Sequence, residues 1–170
     1  MKNKLKNVFI SSVLLITSVF TAFSQSDQYV GAEFNFGTSV GGSNQTAYGI
    51  SYENRFSNHF GIESGLFSTT TFDTVWKYRY LEAPLLLKFY SKPFNLSLGA
   101  KGGLFTGAGN YSEGTLFWGE PYNISLLIKL SRDFELSRSL ILEPEIICTP
   151  LNNLEENVYF NVGIKLKYLL

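Results

Sequence analysis

At 170 residues the chain is long enough for one domain, and its 14 cations and 14 acids cancel to a formal net charge of zero. That balance excludes nucleic acid as an electrostatic partner, and a single Cys and a single His supply neither a disulfide framework nor a His/Cys metal centre. Charged residues make up only 16% against a usual figure of about 25%, while aromatics reach 16%, a composition that suits an exterior in contact with hydrocarbon.

Lys2, Lys4 and Lys6 precede an apolar run from Val8 to Phe23 that closes on Ala22-Phe23-Ser24, the charged, apolar and small-residue regions of a secretory signal peptide. Residues 1–24 are therefore read as the signal and residues 25–170 as an outer-membrane β-barrel domain. The competing reading, a membrane anchor, needs roughly 20 apolar residues in a row, and Ser11, Ser12, Thr17, Ser18 and Thr21 interrupt this run. After the signal, no segment is apolar for long enough to cross a membrane as a helix.

From there on the dominant period is two. It gives eight candidate strands, roughly 28–40, 46–56, 60–72, 76–90, 94–107, 121–131, 139–150 and 157–168. In the first, Glu33 and Asn35 oppose Ala32, Phe34 and Phe36; in the second, Ser51, Glu53 and Arg55 oppose Tyr48, Ile50, Tyr52 and Phe56. The third sets Glu63 against Ile62 and Leu66. The fourth sets Tyr80, Glu82 and Lys88 against Leu81, Ala83, Leu85, Leu87 and Phe89, with Arg79 out of place and assigned to the outer interface. Ser97 and Lys101 oppose Leu96, Leu98, Ala100 and Leu104 in the fifth, and Ser125 and Lys129 oppose Ile124, Leu126, Ile128 and Leu130 in the sixth. The seventh places Glu143 and Glu145 against Leu140, Leu142, Ile146 and Cys148, and the eighth places Lys165 and Lys167 against Val162, Ile164, Leu166 and Tyr168. Because successive strand residues point to opposite faces, each strand has one greasy and one polar side.

An even number of such strands predicts an all-β fold, an eight-stranded antiparallel up-and-down transmembrane β-barrel with lipid on the greasy face. The polar parity then fills the lumen with Glu33, Glu53, Glu63, Glu82, Glu143 and Glu145 against Arg55, Lys88, Lys101, Lys129, Lys165 and Lys167. Six acids meet six cations in a space just wide enough for side chains, so a salt-bridged plug is expected. Parity alone does not say which face is inside. A soluble, lipocalin-like periplasmic binding barrel would invert it, holding a ligand among Phe34, Leu98, Ile128 and Val162, and a small diffusion channel would keep the polar lumen but leave it open.

Short links (57–59, 91–93 and a tight turn within 131–138) alternate with longer ones (41–45, 71–75, 108–120 and 151–156), the pattern of periplasmic turns and external loops. Tyr29, Phe56, Phe60, Phe89, Tyr90, Phe94 and Tyr168 are assigned to one aromatic girdle, and Phe72, Trp76, Phe117, Trp118 and Tyr122 to the other. The longest loop carries Tyr111, Phe117 and Trp118, a possible external contact. Pro84 and Pro144 fall inside strands, where each removes a ladder donor; a β-bulge would relieve that loss and could shift parity locally, which leaves the face assignments after Leu85 and Glu145 open.

The stretch Tyr80-Leu81-Glu82-Ala83-Pro84-Leu85-Leu86-Leu87-Lys88 resembles a Tyr-Leu-Glu-(apolar)-Pro-Leu-Leu-Leu-Lys motif of the PorT-like outer-membrane β-barrel family of Gram-negative bacteria. That resemblance implies fold and location; most members of the family have no assigned activity, and a few relate to protein secretion. Asn161-x-Gly163-x-x-Leu166-x-Tyr168 looks like the C-terminal assembly signal of bacterial outer-membrane proteins, which engages the barrel-assembly machinery, with Leu169-Leu170 as a departure after the aromatic.

Catalysis finds little to work with. His59 falls in a short turn away from any acid or serine that would complete a triad, and Glu143 with Glu145 reads as a pair of lumen ion-pair partners. The reading is thus a non-enzymatic, structural, adhesive or partner-docking barrel without cofactor or metal. Outer-membrane lipid surrounds it, the assembly machinery meets it during biogenesis, and its envelope partner is unknown.

Overall fold

The structure, a computed structural model, describes residues 27–73, 76–110, 122–152 and 158–170. The signal segment and the loop bearing Tyr111, Phe117 and Trp118 lie outside the described residues. The strands are β1 (Asp27–Ser39), β2 (Asn44–Arg55), β3 (Phe60–Phe72), β4 (Trp76–Tyr90), β5 (Asn95–Asn110), β6 (Tyr122–Ser131), the two-residue β7 (Phe134–Glu135), β8 (Leu140–Asn152) and β9 (Tyr159–Leu169).

Every neighbour in the sheet is antiparallel. β1 to β6 pair in chain order, β1 also pairs with β9, and β6 pairs with β8, so eight long strands close on themselves and leave no open edge. β7 continues the β6–β8 hairpin past the barrel wall, pairing Phe134 with Leu142. We call the end holding Asp27 and Leu169 the near rim and the opposite end the far rim.

The two faces separate cleanly. Outward lie Phe34 at 51% exposure, Ile50 at 62%, Leu85 at 64% and Val162 at 62%, whereas Lys88, Glu143 and Lys165 point inward at 0%. The inverted, lipocalin-like arrangement is thereby overturned: the cup proposed among Phe34, Leu98 and Val162 is outer wall. The inner parity is not polar throughout, however. Leu86, Leu127 and Ile147 form a small buried apolar cluster at mid-height, with Phe67 also buried.

At both in-strand prolines the parity is kept. Through Pro84 the β4–β5 register runs without a shift, and so does the β8–β9 register through Pro144. The cost of each missing N–H is met by position. The Pro84 carbonyl faces β3 and accepts from the Ser64 hydroxyl at 2.9 Å, where the β3–β4 ladder pauses between Ser64↔Leu85 and Phe67↔Glu82. Pro144 sits where the β6–β8 ladder ends at Ser131↔Glu145, its carbonyl accepting from Arg132 N at 3.2 Å. Since the N–H and C=O of one strand residue point the same way, each absent donor faces an interrupted stretch of ladder. The register shifts fall elsewhere, at Arg79/Tyr80 against β5, where Thr106 is the additional residue, and opposite Leu127, where β8 gains a residue at Thr149–Pro150.

The girdles need revision too. Phe56, Phe60, Phe89, Phe94 and Tyr168 are exposed near the near rim, but Tyr29 and Tyr90 are buried at 6% and 5% and face the lumen. At the far rim Tyr122 is 57% exposed, and Tyr48, Phe36 and Phe160 join it on the outside. Arg79 is exposed on the outer face beside the shifted register.

Candidate functional site

Alternation explains why so many charged groups meet. On β1, β2, β3, β4, β6, β8 and β9 the residues two apart along the inner face bring Glu33, Glu53, Glu63, Lys88, Lys129, Glu143, Glu145, Lys165 and Lys167 into the half of the lumen nearer the near rim, each at most 5% exposed. Register sets the partners: Glu33 opposes Lys165 across β1–β9, and Glu143 opposes Lys165 across β8–β9.

Lys88 is the hub of the lower layer. Its ammonium bonds Glu53 at 2.8 Å, approaches Glu63 at 3.5 Å, and contacts Glu143. Glu143 also accepts from the Ser131 hydroxyl and pairs with Lys167 at 2.8 Å. Lys167 reaches Glu53 at 3.1 Å, and Glu53 further accepts from the Tyr90 hydroxyl at 2.8 Å. One layer up, Lys165 and Lys129 share Glu63 at 2.7 and 2.8 Å, and both contact Glu33; Lys129 pairs with Glu145 at 2.9 Å. Charges removed from water this completely persist only with several partners each, which is what the network provides.

Arg55 closes the lower end at the near rim, half-buried, with Asp133 at 2.9 Å and the Tyr90 ring 3.9 Å below its guanidinium. Asp133 was not among the expected lumen acids. It belongs to the irregular step between β6 and β7, where a turn was expected, yet it keeps the inner parity of Lys129 and Ser131 and pairs with Lys167 at 3.0 Å. Counting that parity two residues further would have found it.

Glu82 and Lys101 stand apart. They pair with each other at 2.9 Å above the apolar cluster, and Thr69 donates to Glu82 at 2.6 Å. Around and beyond them the lumen is lined by neutral polar groups: Asn161 donates to Gln45 at 3.2 Å and Gln45 to Thr71 at 3.3 Å. A cavity of about 40 Å³ lies here, among Asn35, Gln45, Phe67, Lys101, Leu127 and Asn161. With about 10–15 Å³ needed per water, it is room for a few waters and not for a ligand.

Glu53, Glu63 and Glu143 bring carboxylate oxygens within 4.8 Å of one another, the spacing of a possible cation site. Lys88 Nζ already occupies the position between them, so the positive charge this cage requires is supplied by the chain itself. His59 is exposed in the β2–β3 turn and stacks with Phe89 at 6.2 Å, and among the described residues its imidazole has no hydrogen bond to a serine and no ion pair with an acid.

Of the four assembly-signal candidates, Asn161 and Gly163 face inward on β9, while Leu166 and Tyr168 face outward at 43% and 55% exposure. Gly163 lies beneath Asn35, where a Cβ would meet Asn35 Oδ1 at 1.7 Å; across the same two strands Asn161 lies over Gly37. The added residues after the aromatic continue the ladder, Leu169 N bonding Ser139 O and Leu170 N bonding Gln28 O, both at 2.9 Å.

No protein-family model matches the chain, and no curated protein matches it in sequence. Solved structures do. Neisserial surface protein A aligns with a TM-score of 0.57 at 14% identity over 86% of this chain and 98% of that one. The outer membrane protein OprG from Pseudomonas aeruginosa gives 0.56 at 11% identity over 86% and 98%. Ail, the attachment invasion locus protein of Yersinia pestis, gives 0.54 at 13% identity over 85% and 97%. The fold is that of the eight-stranded outer-membrane β-barrels. At these identities the likeness is one of architecture, and the network of this barrel is described by its own residues.

Proposed function

We propose that this chain is a non-enzymatic outer-membrane barrel of a Gram-negative bacterium, exported by a signal in residues 1–24, cleaved, and inserted as residues 25–170. The observation that carries the reading is the continuous apolar outer wall around a closed barrel whose charges are inside, since a large exposed apolar surface marks a membrane or partner contact. The PorT-like stretch Tyr80–Lys88 supports the same location. Asn161, Gly163, Leu166 and Tyr168 serve as the signal read by the barrel-assembly machinery, and the far-rim loop with Tyr111, Phe117 and Trp118 is the contact surface for an envelope partner or adhesion target. The lumen network acts as a plug, so the role is structural, adhesive or docking, not conduction.

Cell fractionation followed by electrophoresis with and without heating tests this. The protein is expected in the outer-membrane fraction, with a mobility that changes on boiling in detergent. Recovery from the soluble periplasm with no heat-dependent shift would overturn the reading. In planar bilayers the purified barrel is expected to give no steady conductance steps, and discrete steps would favour the diffusion channel instead.

A further inference from the structure

Two depressions meet at the near rim. One is a groove of about 440 Å³ on the outer wall, lined by Phe94, Leu130, Pro144, Ile146 and Val162 together with Arg132. It lies where the β6–β8 ladder stops at Ser131↔Glu145 and resumes at Phe134↔Leu142, bridged by the single bond from Arg132 N to the Pro144 carbonyl. The other is a cleft of about 380 Å³ at the rim itself, lined by polar groups that include Asn58, His59, Ser91, Lys92 and Arg132. Phe94 and Arg132 line both. An apolar slot on the lipid-facing wall therefore runs directly into a polar, cationic one.

Arg132 stands at the junction. Its guanidinium lies 5.3 Å from the Phe134 ring centroid, and among the described residues it has no carboxylate partner. The adjacent acid, Asp133, is turned into the lumen and held by Arg55 and Lys167 at 2.9 and 3.0 Å. Lys92, across the cleft, likewise has no acidic partner among the described residues, and the remaining acid of the cleft, Glu135, is exposed on the hairpin.

We propose that this two-part site holds one glycerophospholipid of the surrounding leaflet, its phosphate on Arg132 and Lys92 and one acyl chain in the groove along Phe94, Pro144, Ile146 and Val162. The proposal rests on the membrane-spanning reading given above. A guanidinium presents paired donors that match phosphate oxygens, and an interfacial cation left without a carboxylate gains most from such a partner. The groove fixes which molecule supplies the phosphate, because hydrocarbon chains fill an apolar slot that opens on the lipid side.

The test uses the full barrel in an uncharged maltoside detergent, with phosphatidylglycerol added in mixed micelles and bound lipid counted by native mass spectrometry. A saturable single adduct is expected. Arg132→Gln should weaken it about tenfold, the effect of losing one charge-assisted bond, and Ile146→Trp, which fills the groove, should weaken it as well. Arg138→Gln, on the same hairpin but outside both depressions, should leave it unchanged, and glycerol 3-phosphate should not compete. Heat-dependent mobility checks that each variant is folded; should Arg132→Gln fail there, Lys92→Gln and Ile146→Trp give the reading. A folded barrel with no adduct, an adduct insensitive to these substitutions, or displacement by glycerol 3-phosphate overturns the site. Failure to recover the protein from membranes would instead overturn the outer-membrane reading.

Discussion

The two halves of the lumen are built on opposite rules. Toward the near rim, Lys88, Lys129, Lys165 and Lys167 interleave with Glu33, Glu53, Glu63, Glu143 and Glu145, so nearly every group has two or more partners of opposite sign. Toward the far rim, one ion pair among the described residues, Glu82–Lys101, stands among amides, hydroxyls and an apolar cluster. In the charged half each side chain depends on several others, because removing one charge leaves its partners buried and uncompensated. In the neutral half a lost group costs only its own bond or its own packing. Sensitivity to substitution should therefore fall steeply from one rim to the other.

The sharpest way to break that contrast is Lys88→Met, which takes the shared cation from Glu53, Glu63 and Glu143 and leaves the three carboxylates to Lys129, Lys165 and Lys167. A loss of about 3–5 kcal/mol is expected, seen as a fall in the urea midpoint of the heat-resistant band in lipid vesicles; a loss under 1 kcal/mol would mean the network is not cooperative. Lys101→Met probes the isolated pair. With Thr69 still donating to Glu82, a loss of about 1–3 kcal/mol is expected, and parity with Lys88→Met would erase the distinction between the halves. Gly163→Ala lies on the boundary: its Cβ overlaps Asn35 and meets Glu145 Oε1 at 2.9 Å, so about 1–3 kcal/mol is expected, recovered in part when Asn35→Gly is added, since that change also removes the Asn35 bond to Glu33. Should the double variant stay as weak as the single one, the clash with Asn35 is not the cause. Ile147→Val, in the apolar cluster, should cost least, about 0.5–1.5 kcal/mol by the same unfolding measurement.

Much of this architecture is legible from alternation alone. Lys165 and Lys167 between Val162, Ile164, Leu166 and Tyr168 define two faces without any coordinates, and low charge on one parity throughout the chain favours lipid there. What alternation lacks is stagger. Which glutamate each lysine meets depends on strand tilt and closure, which bring Lys88 of β4 onto Glu143 of β8, 55 positions away. The prolines left parity open for a related reason: a missing donor matters only if the neighbouring strand presents an acceptor, and at Pro84 and Pro144 the facing ladder is already interrupted. Tyr29 and Tyr90 read as girdle residues because a rim aromatic looks the same facing in or out, and here their rings lie against the Arg55 guanidinium.

The closing strand carries a consequence for how the molecule comes together. β9 supplies Lys165 and Lys167; before it docks, Glu33, Glu53, Glu63, Asp133, Glu143 and Glu145 face only Arg55, Lys88 and Lys129, six carboxylates against three cations. A seven-strand precursor therefore has an interior that hydrocarbon will not accept and that only water or an assembly factor can shelter. Sealing the wall and supplying two of the five cations that meet these six carboxylates are one event, so the last piece to arrive is also the one that makes the rest permissible.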